Sequence, residues 1–174
     1  SSVFLIGAQF PIENWLVTEA KVFRPAFTSE SFSVFDNASV DINSLWPKEG
    51  QKLFWDPLQS LIWEKIQANE GKLSFSLRDG LNMVLAATYL DVPRWQKATL
   101  IVKSNFPFQI FFDGELVGKG EKTDLTLTRE RHRLLVVSLQ DQSKQAGLEV
   151  LLQFEDKYRS LAPRISTEPL HNIT

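Results

Sequence analysis

The side chains that most often carry out chemistry are sparse in this sequence. It contains two histidines, His132 and His171, and no cysteine. Neither histidine has a second histidine or a cysteine at the spacing of a zinc or iron site, so we expect structural or solvated imidazoles. No Gly-x-Ser-x-Gly elbow, phosphate-binding loop or dinucleotide-binding fingerprint occurs either. The sequence therefore predicts no catalytic residue and no enzyme activity.

Carboxylates are the next candidates, because a glycosidase needs only two of them about 5 to 10 Å apart. The acidic residues that stand out are Asp56, Glu64, Asp79, Asp91 and Asp113. Most of them lie in predicted turns, where an aspartate side chain hydrogen-bonds the neighbouring backbone. Their positions indicate turns rather than a hydrolytic pair.

Hard oxygen ligands offer a calcium hypothesis. Asp36, Asn37, Asp41 and Asn43 fall within eight residues, and calcium binds such oxygen donors. The segment lacks the glycine and the bidentate glutamate of a defined calcium loop, so a polar turn is the competing interpretation. Asp36, Asp41 and Asn43 remain candidate calcium ligands, and no other cofactor is predicted.

Tryptophan offers a second kind of binding site, because sugar-binding modules stack pyranose rings on Trp or Tyr. Trp46, Trp55, Trp63 and Trp95 lie near predicted strand ends or loops, where a ligand could reach them, and the candidates for sugar stacking are Trp46, Trp55 and Trp95. A large β-sandwich core also uses Trp, and most of the 13 phenylalanines fall at inward-facing positions. Glycan binding and packing, in the core or against a neighbouring domain, both stay open.

The element that positions these residues is a predicted hairpin. Phe108, Ile110 and Phe112 alternate with other residues, which places them on one face of a strand. Asp113-Gly114 follows at once, and Asp-Gly between apolar runs is a strong hairpin signal because glycine tolerates positive φ. The rest of the chain reads as further strands added to this hairpin.

Two further segments can be interpreted from the pattern of their apolar residues. Residues 83–92 are almost continuously apolar, as expected of a central strand covered on both faces, and Pro93 ends it. Residues 58–66 fit either a short helix, with Asp56 as its N-cap, or a strand that carries Leu61 and Trp63 inward.

Other alternating runs predict strands around residues 15–23, 73–77, 98–103, 125–127 and 148–154. Leu125 and Leu127 are expected to face Leu134 and Val136 in a second hairpin. With turn signals about every ten residues, the pattern predicts an all-β antiparallel sandwich, of jelly-roll type, with at most one or two short helices. Residues 1–157 form the predicted sandwich domain and residues 158–174 a C-terminal linker.

Size and charge narrow the range of partners. The 174 residues suit one domain, and 19 basic against 21 acidic residues leave a net charge of −2, which offers no footprint for nucleic acid. No apolar run approaches the roughly 18 to 20 residues of a membrane span. Because Ser1-Ser2 lacks an initiator methionine, we expect the chain to begin after a removed signal peptide or inside a precursor; a trimmed cytoplasmic protein is the alternative.

Several segments together resemble galactose-binding-like jelly rolls: residues 14–17, 45–50 with Trp63, 108–117, 125–127 and 131–136. More narrowly, they are similar to the N-terminal domain that precedes a β-propeller in large secreted Bacteroidetes peptidases of the prolyl oligopeptidase family and in TolB-like propeller proteins. Residues 165–174 resemble the lead-in to a first propeller blade.

The resemblance implies a non-catalytic accessory domain in a periplasmic or secreted protein. The peptidase residues of that family lie in a separate hydrolase domain, so no active-site residue transfers to this chain. Its expected partner is a following domain of the same polypeptide, such as a β-propeller, which it would dock onto or whose substrate entry it would restrict. A carbohydrate-binding module is the alternative function.

Overall fold

A computed structural model describes residues 8–22, 45–56, 58–142, 146–154 and 162–169. Within these ranges the chain forms strands and loops and no helix, so none of the described residues belongs to a helix that could cross a membrane. The strands are β1 (Ala8–Pro11), β2 (Asn14–Lys21), β3 (Lys52–Asp56), β4 (Gln59–Ile62), β5 (Glu64–Gln67), β6 (Lys72–Leu73), β7 (Asn82–Asp91), β8 (Gln96–Lys103), β9 (Phe108–Phe112), β10 (Glu115–Gly118), β11 (Lys122–Leu127), β12 (Arg131–Gln140), β13 (Leu148–Phe154) and β14 (Arg164–Ser166).

Two antiparallel sheets pack face to face. The front sheet has the strand order β1-β13-β8-β11, with β6 also paired to β13. The central sheet has the order β10-β9-β12-β7-β2-β5, with β14 also paired to β7. The predicted all-β sandwich is therefore confirmed.

The inner core lies between these two sheets, and strand alternation determines which side chains enter it. On β12, Leu134 and Val136 face the front sheet, where they meet residues such as Leu100 and Leu152. Apolar side chains of this kind are the main favourable contribution to folding, at about 25 cal/mol for each Å² removed from water.

The opposite face of the central sheet is buried as well, beneath an outer layer built by residues 45–56 and 58–63. The hairpin β3–β4 and the residue that follows it place four side chains against it, namely Leu53, Trp55, Leu61 and Trp63. Because both faces are covered, every described position from Asn82 to Leu90 on β7 is buried. This arrangement confirms the prediction of a central strand covered on both sides.

The Asp113-Gly114 turn forms as predicted between β9 and β10. Asp113 has φ of 51° and Gly114 has φ of 87°, so both central residues adopt the left-handed conformation that a type I′ hairpin requires. β10 is an edge strand, and β9 pairs with β12 on its other side. The hairpin β9–β10 thus forms one edge of the central sheet.

The structure decides one open alternative and corrects one local prediction. Residues 58–66 form β4 and the start of β5, not a helix, and Leu61 and Trp63 point inward as the strand alternative required. Leu125 and Leu127 do not pair with β12, because β11 pairs with β8 in the front sheet. The chain therefore crosses between the sheets after Leu127 instead of turning back in a hairpin.

Part of the predicted C-terminal linker lies against the sandwich. β14 pairs with Tyr89 to Asp91 of β7. The Thr88 hydroxyl lies within hydrogen-bond distance of two carbonyl oxygens, that of Asn14 at 2.8 Å and that of Ser166 at 3.2 Å. Arg131 also donates to the carbonyl of Glu168 at 3.0 Å. The boundary predicted at residue 157 stays a prediction, but residues 164–166 extend the central sheet.

The turn geometry predicts a position-specific stability effect. Replacing Gly114 with Val should lower the free energy of unfolding by about 1 to 3 kcal/mol, because a β-branched residue is strained at positive φ. Urea denaturation measures this loss. Gly120→Val is the matched control, since Gly120 lies outside the positive-φ region and a Cβ there meets open space. Equal losses for the two variants would contradict the assigned turn.

Candidate functional site

A hydrogen-bonded cluster surrounds His132, the second residue of β12. Its Nδ1 lies 2.6 Å from Oδ2 of Asp113, and its ring stacks on Phe112 with centroids 4.9 Å apart. The β9–β10 turn supplies Asp113, whose other oxygen accepts the backbone N–H of Arg133 at 2.9 Å. The turn and the start of β12 are thus held together by one carboxylate.

The second ring nitrogen of His132 is occupied by the loop that precedes β12. Nε2 lies 2.9 Å from the Thr128 carbonyl and 3.2 Å from the Thr128 hydroxyl, and that hydroxyl donates to Glu130 at 2.9 Å. Because a carboxylate and a carbonyl oxygen can only accept, the two short contacts require N–H on both ring nitrogens. The surroundings of His132 therefore favour the imidazolium.

The electrostatics agree with this assignment. Burial acts most strongly on His132 and lowers its pKa, but the hydrogen bonds to Asp113 and Thr128 and the charges of Asp113 and Glu130 together outweigh burial and raise it. For Asp113, burial raises the pKa, while the bonds from His132 and the Arg133 N–H and the nearby positive charges lower it overall. Both charged forms are stabilised, so the pair is an ion pair with a nearly buried cation.

The same residues raise the question of a metal centre. Ligand atoms of Asp113, Glu130 and His132 all lie within 4.8 Å of one another. A metal ion needs a ring nitrogen with a free lone pair, whereas both nitrogens of His132 act as donors here. The cluster fits a structural ion pair better than a metal site.

On the other face of β12, Arg133 holds the outer layer in place. Its guanidinium lies 4.2 Å from the centre of the Trp46 ring and donates to the carbonyl of Leu45. Beside it, the Tyr89 hydroxyl donates to the carbonyl of Pro47 at 2.7 Å. These contacts attach residues 45–47 to the central sheet through a cation–π interaction and two hydrogen bonds.

The three tryptophans proposed for sugar stacking occupy different environments. Trp46 is 40% exposed but lies against Arg133, Trp55 is 6% exposed in the outer layer, and Trp95 is 56% exposed in the loop between β7 and β8. As placed, Trp55 offers no ring face to a ligand because it packs against the central sheet. Sugar stacking at Trp46 and Trp95 stays a prediction.

Other predicted positions lie outside the described residues. These are the calcium candidates Asp36, Asp41 and Asn43, and the second histidine, His171. The structure therefore does not test the calcium hypothesis.

An apolar surface on the hairpin β3–β4 was not anticipated. Phe54, Leu58 and Ile62 are 68%, 88% and 50% exposed, and we call them the outward hairpin face. Alternation along β3 and β4 places Phe54 and Ile62 opposite the buried Leu53 and Leu61. In the sequence, apolar residues occupy consecutive positions in each of these strands. Because successive side chains point to opposite faces, this pattern indicates a strand with two apolar faces.

The ion pair predicts a pH dependence of stability. A raised pKa for His132 means that its contribution to stability is complete below about pH 6.5 and is lost as the pH rises through the folded-state pKa. A lowered pKa for Asp113 means that its contribution is complete above about pH 4 and is lost as the pH falls through its own folded-state pKa. The free energy of unfolding from urea titrations should be highest between these limits. NMR titration should show His132 changing charge above pH 6.5.

Asp113→Asn tests the cause of this dependence. The amide tolerates the turn and can accept one of the two hydrogen bonds, but it removes the negative charge. We expect a lower His132 pKa and a loss of about 1 kcal/mol near pH 6, at the low end for a charged bond because the Asp113 side chain is 43% exposed. Glu130→Gln, at 3.8 Å and more exposed, is the control with a smaller effect. An unchanged His132 pKa in Asp113→Asn would contradict the assignment.

Comparisons with protein-family models, curated proteins and solved structures found no match for this chain.

Proposed function

We propose that this chain is a non-catalytic accessory domain that docks, through the outward hairpin face, onto a neighbouring domain of the same periplasmic or secreted polypeptide. The observation that carries the proposal is the apolar character of both faces of β3–β4. One face completes the outer layer, and Phe54, Leu58 and Ile62 on the other are at least half exposed. Grouped exposed apolar side chains mark interaction surfaces more often than scattered single ones.

The hairpin is a fixed platform for such a contact. The Gln59 side chain accepts the Lys21 N–H at 2.8 Å and donates to the Lys21 carbonyl at 2.9 Å, which attaches β4 to the end of β2. Trp55 and Trp63 anchor its other face beneath the central sheet. A surface that is already ordered loses little entropy on binding, which favours docking.

The chemistry of the face supports a protein partner over a glycan. Phe54 and Ile62 provide the apolar area of this face, and their cross-strand partners Ser60 and Lys52 are its polar residues. The glycan alternative depends on Trp46 and Trp95, and one face of the Trp46 ring is occupied by Arg133. A neighbouring domain also agrees with the resemblance to accessory domains that precede a β-propeller.

The non-catalytic part of the proposal is supported by the state of His132. Its two ring nitrogens are engaged by Asp113 and Thr128, and its side chain is 3% exposed. A general base must reach the proton it removes. The His132 imidazole instead holds the β9–β10 turn through its bond to Asp113.

The test compares hydrogen exchange in the isolated chain and in the natural polypeptide that contains it. We expect the amides of β3 and β4 to gain protection in the longer protein. Phe54→Thr with Ile62→Thr should remove that gain and leave the melting temperature of the isolated chain within a few degrees, because both side chains are exposed. Full burial of one such side chain contributes about 1.5 to 3 kcal/mol, so docking should weaken at least about tenfold.

Leu116→Thr is the matched control, because Leu116 is 54% exposed on β10, outside the hairpin. Unchanged protection of β3 and β4 in the longer protein would overturn the proposal. A homodimer of the isolated chain that the Phe54 and Ile62 substitutions dissociate would also overturn it, by assigning the face to a second copy.

A further inference from the structure

The hairpin β3–β4 has one backbone edge that no described strand covers. Among the described strands, β3 pairs with β4 alone, and the Gln59 side chain attaches β4 to the end of β2. The open side is therefore the side of β3 that faces away from β4, and we call it the β3 edge. Such an edge presents backbone N–H and C=O groups that can pair with another extended chain.

The register of the hairpin determines which residues of β3 supply those groups. The Trp63 N–H donates to the Gln51 carbonyl at 3.0 Å, so these two residues form a hydrogen-bonded pair of the antiparallel ladder. The same register continues without a shift from Lys52 to Phe54, and hydrogen-bonded and non-hydrogen-bonded pairs alternate along such a ladder. Lys52 and Phe54 therefore belong to non-hydrogen-bonded pairs. Their backbone N–H and C=O groups point away from β4, to the β3 edge.

The run of residues between the two ends of β3 is apolar. Natural proteins commonly protect an edge strand with charged side chains and proline, but the charged residues of β3 stand only at its ends, and it contains no proline. Leu53 and Trp55 are buried in the outer layer, whereas Phe54 is 68% exposed. A strand added at the β3 edge would bring its own side chains beside the exposed ring of Phe54.

We infer that the neighbouring domain binds by adding an extended segment to β3. The segment forms backbone hydrogen bonds with Lys52 and Phe54 and places an apolar side chain beside Phe54. In strand addition, main-chain bonds supply affinity and alternate side chains supply specificity, which matches an open backbone edge next to an exposed aromatic ring. Strand addition rests on the docking role proposed above for the outward hairpin face and specifies the part of the partner that the face receives.

Hydrogen exchange resolved to single amides tests strand addition. In the isolated chain, the amides of Lys52 and Phe54 should exchange rapidly, because neither donates to β4. In the natural polypeptide that contains the chain, both amides should exchange about fivefold more slowly or less, because each gains a carbonyl acceptor from the added segment. The amide of Leu53 faces β4 and should be protected in both proteins.

Lys52→Pro removes one donor of the β3 edge. Proline lacks the backbone N–H and is tolerated on edge strands where that group faces solvent, so the pairing of β3 with β4 is retained. We expect the protection of the Phe54 amide in the longer protein to fall about fivefold, as for the loss of one backbone hydrogen bond. Lys52→Ala keeps the N–H and should leave that protection unchanged. The melting temperature of the isolated Lys52→Pro chain should stay within a few degrees of the unchanged chain.

Lys65→Pro is the matched control on a second edge strand. Among the described strands β5 pairs only with β2, and the Ala68 N–H donates to the Glu13 carbonyl at 2.6 Å. The register that continues from this bond places Lys65 in a non-hydrogen-bonded pair, so its N–H points away from β2. Lys52 and Lys65 are thus exposed lysines at the same kind of ladder position. Lys65→Pro should leave the protection of the Phe54 amide unchanged.

Three results would overturn strand addition. Protection of Lys52 and Phe54 in the isolated chain would show that the β3 edge is already paired within this chain. Equal effects of Lys52→Pro and Lys65→Pro would show a general loss of stability. Slower exchange in the longer protein only at amides that bond within the hairpin, such as Leu53, would show docking through side chains alone and would leave the proposed docking role intact. Unchanged exchange throughout β3 and β4 would overturn both.

Discussion

Burial of the central sheet on both of its faces is the constraint on which the rest of the structure depends. β7 and β12 carry apolar side chains in both phases, so Leu85 and Val137 point away from the front sheet as completely as Val84 and Val136 point toward it. An apolar face of this size is costly to leave in water. The chain therefore needs a third layer, and residues 45–56 and 58–63 supply it.

The polar residues of β12 fix the edges of these layers. His132 and Arg133 are consecutive, so they project to opposite faces of the central sheet. His132 holds the β9–β10 turn through Asp113, while Arg133 holds the outer layer through Leu45 and Trp46. At the other end of the strand, the buried Gln140 bonds both backbone groups of Gly147, the residue before β13. One strand thus positions a turn, a covering layer and the start of β13.

The sequence predicted the local elements of this fold but not how its strands associate. Alternation from Phe108 to Phe112 with Asp113-Gly114 was enough to place a hairpin, because its geometry depends on adjacent residues. Leu125 and Leu127 showed that a strand has one buried face, but both sheets bury such a face against the same inner core. Alternation therefore could not assign β11 to the front sheet.

The side-chain contacts of the candidate site could not be predicted from the sequence for a related reason. The Asp113–His132 pair spans 19 positions and the bond from Arg133 to Leu45 spans 88, and no local pattern links residues so far apart. By contrast, the apolar residues of β3–β4 were visible, but their meaning depended on knowing which face was already covered.

The outward hairpin face contributes little to the stability of the chain itself. A two-stranded hairpin is marginal in water, and β3–β4 is held by its inward residues, Trp55 among them, and by Gln59. Phe54 and Ile62 add little to that support because more than half of the Phe54 surface and half of the Ile62 surface face solvent. Polar residues would serve equally well at both positions if the hairpin were only a cover. Their apolar character is therefore the basis of our proposal that this face docks onto a neighbouring domain.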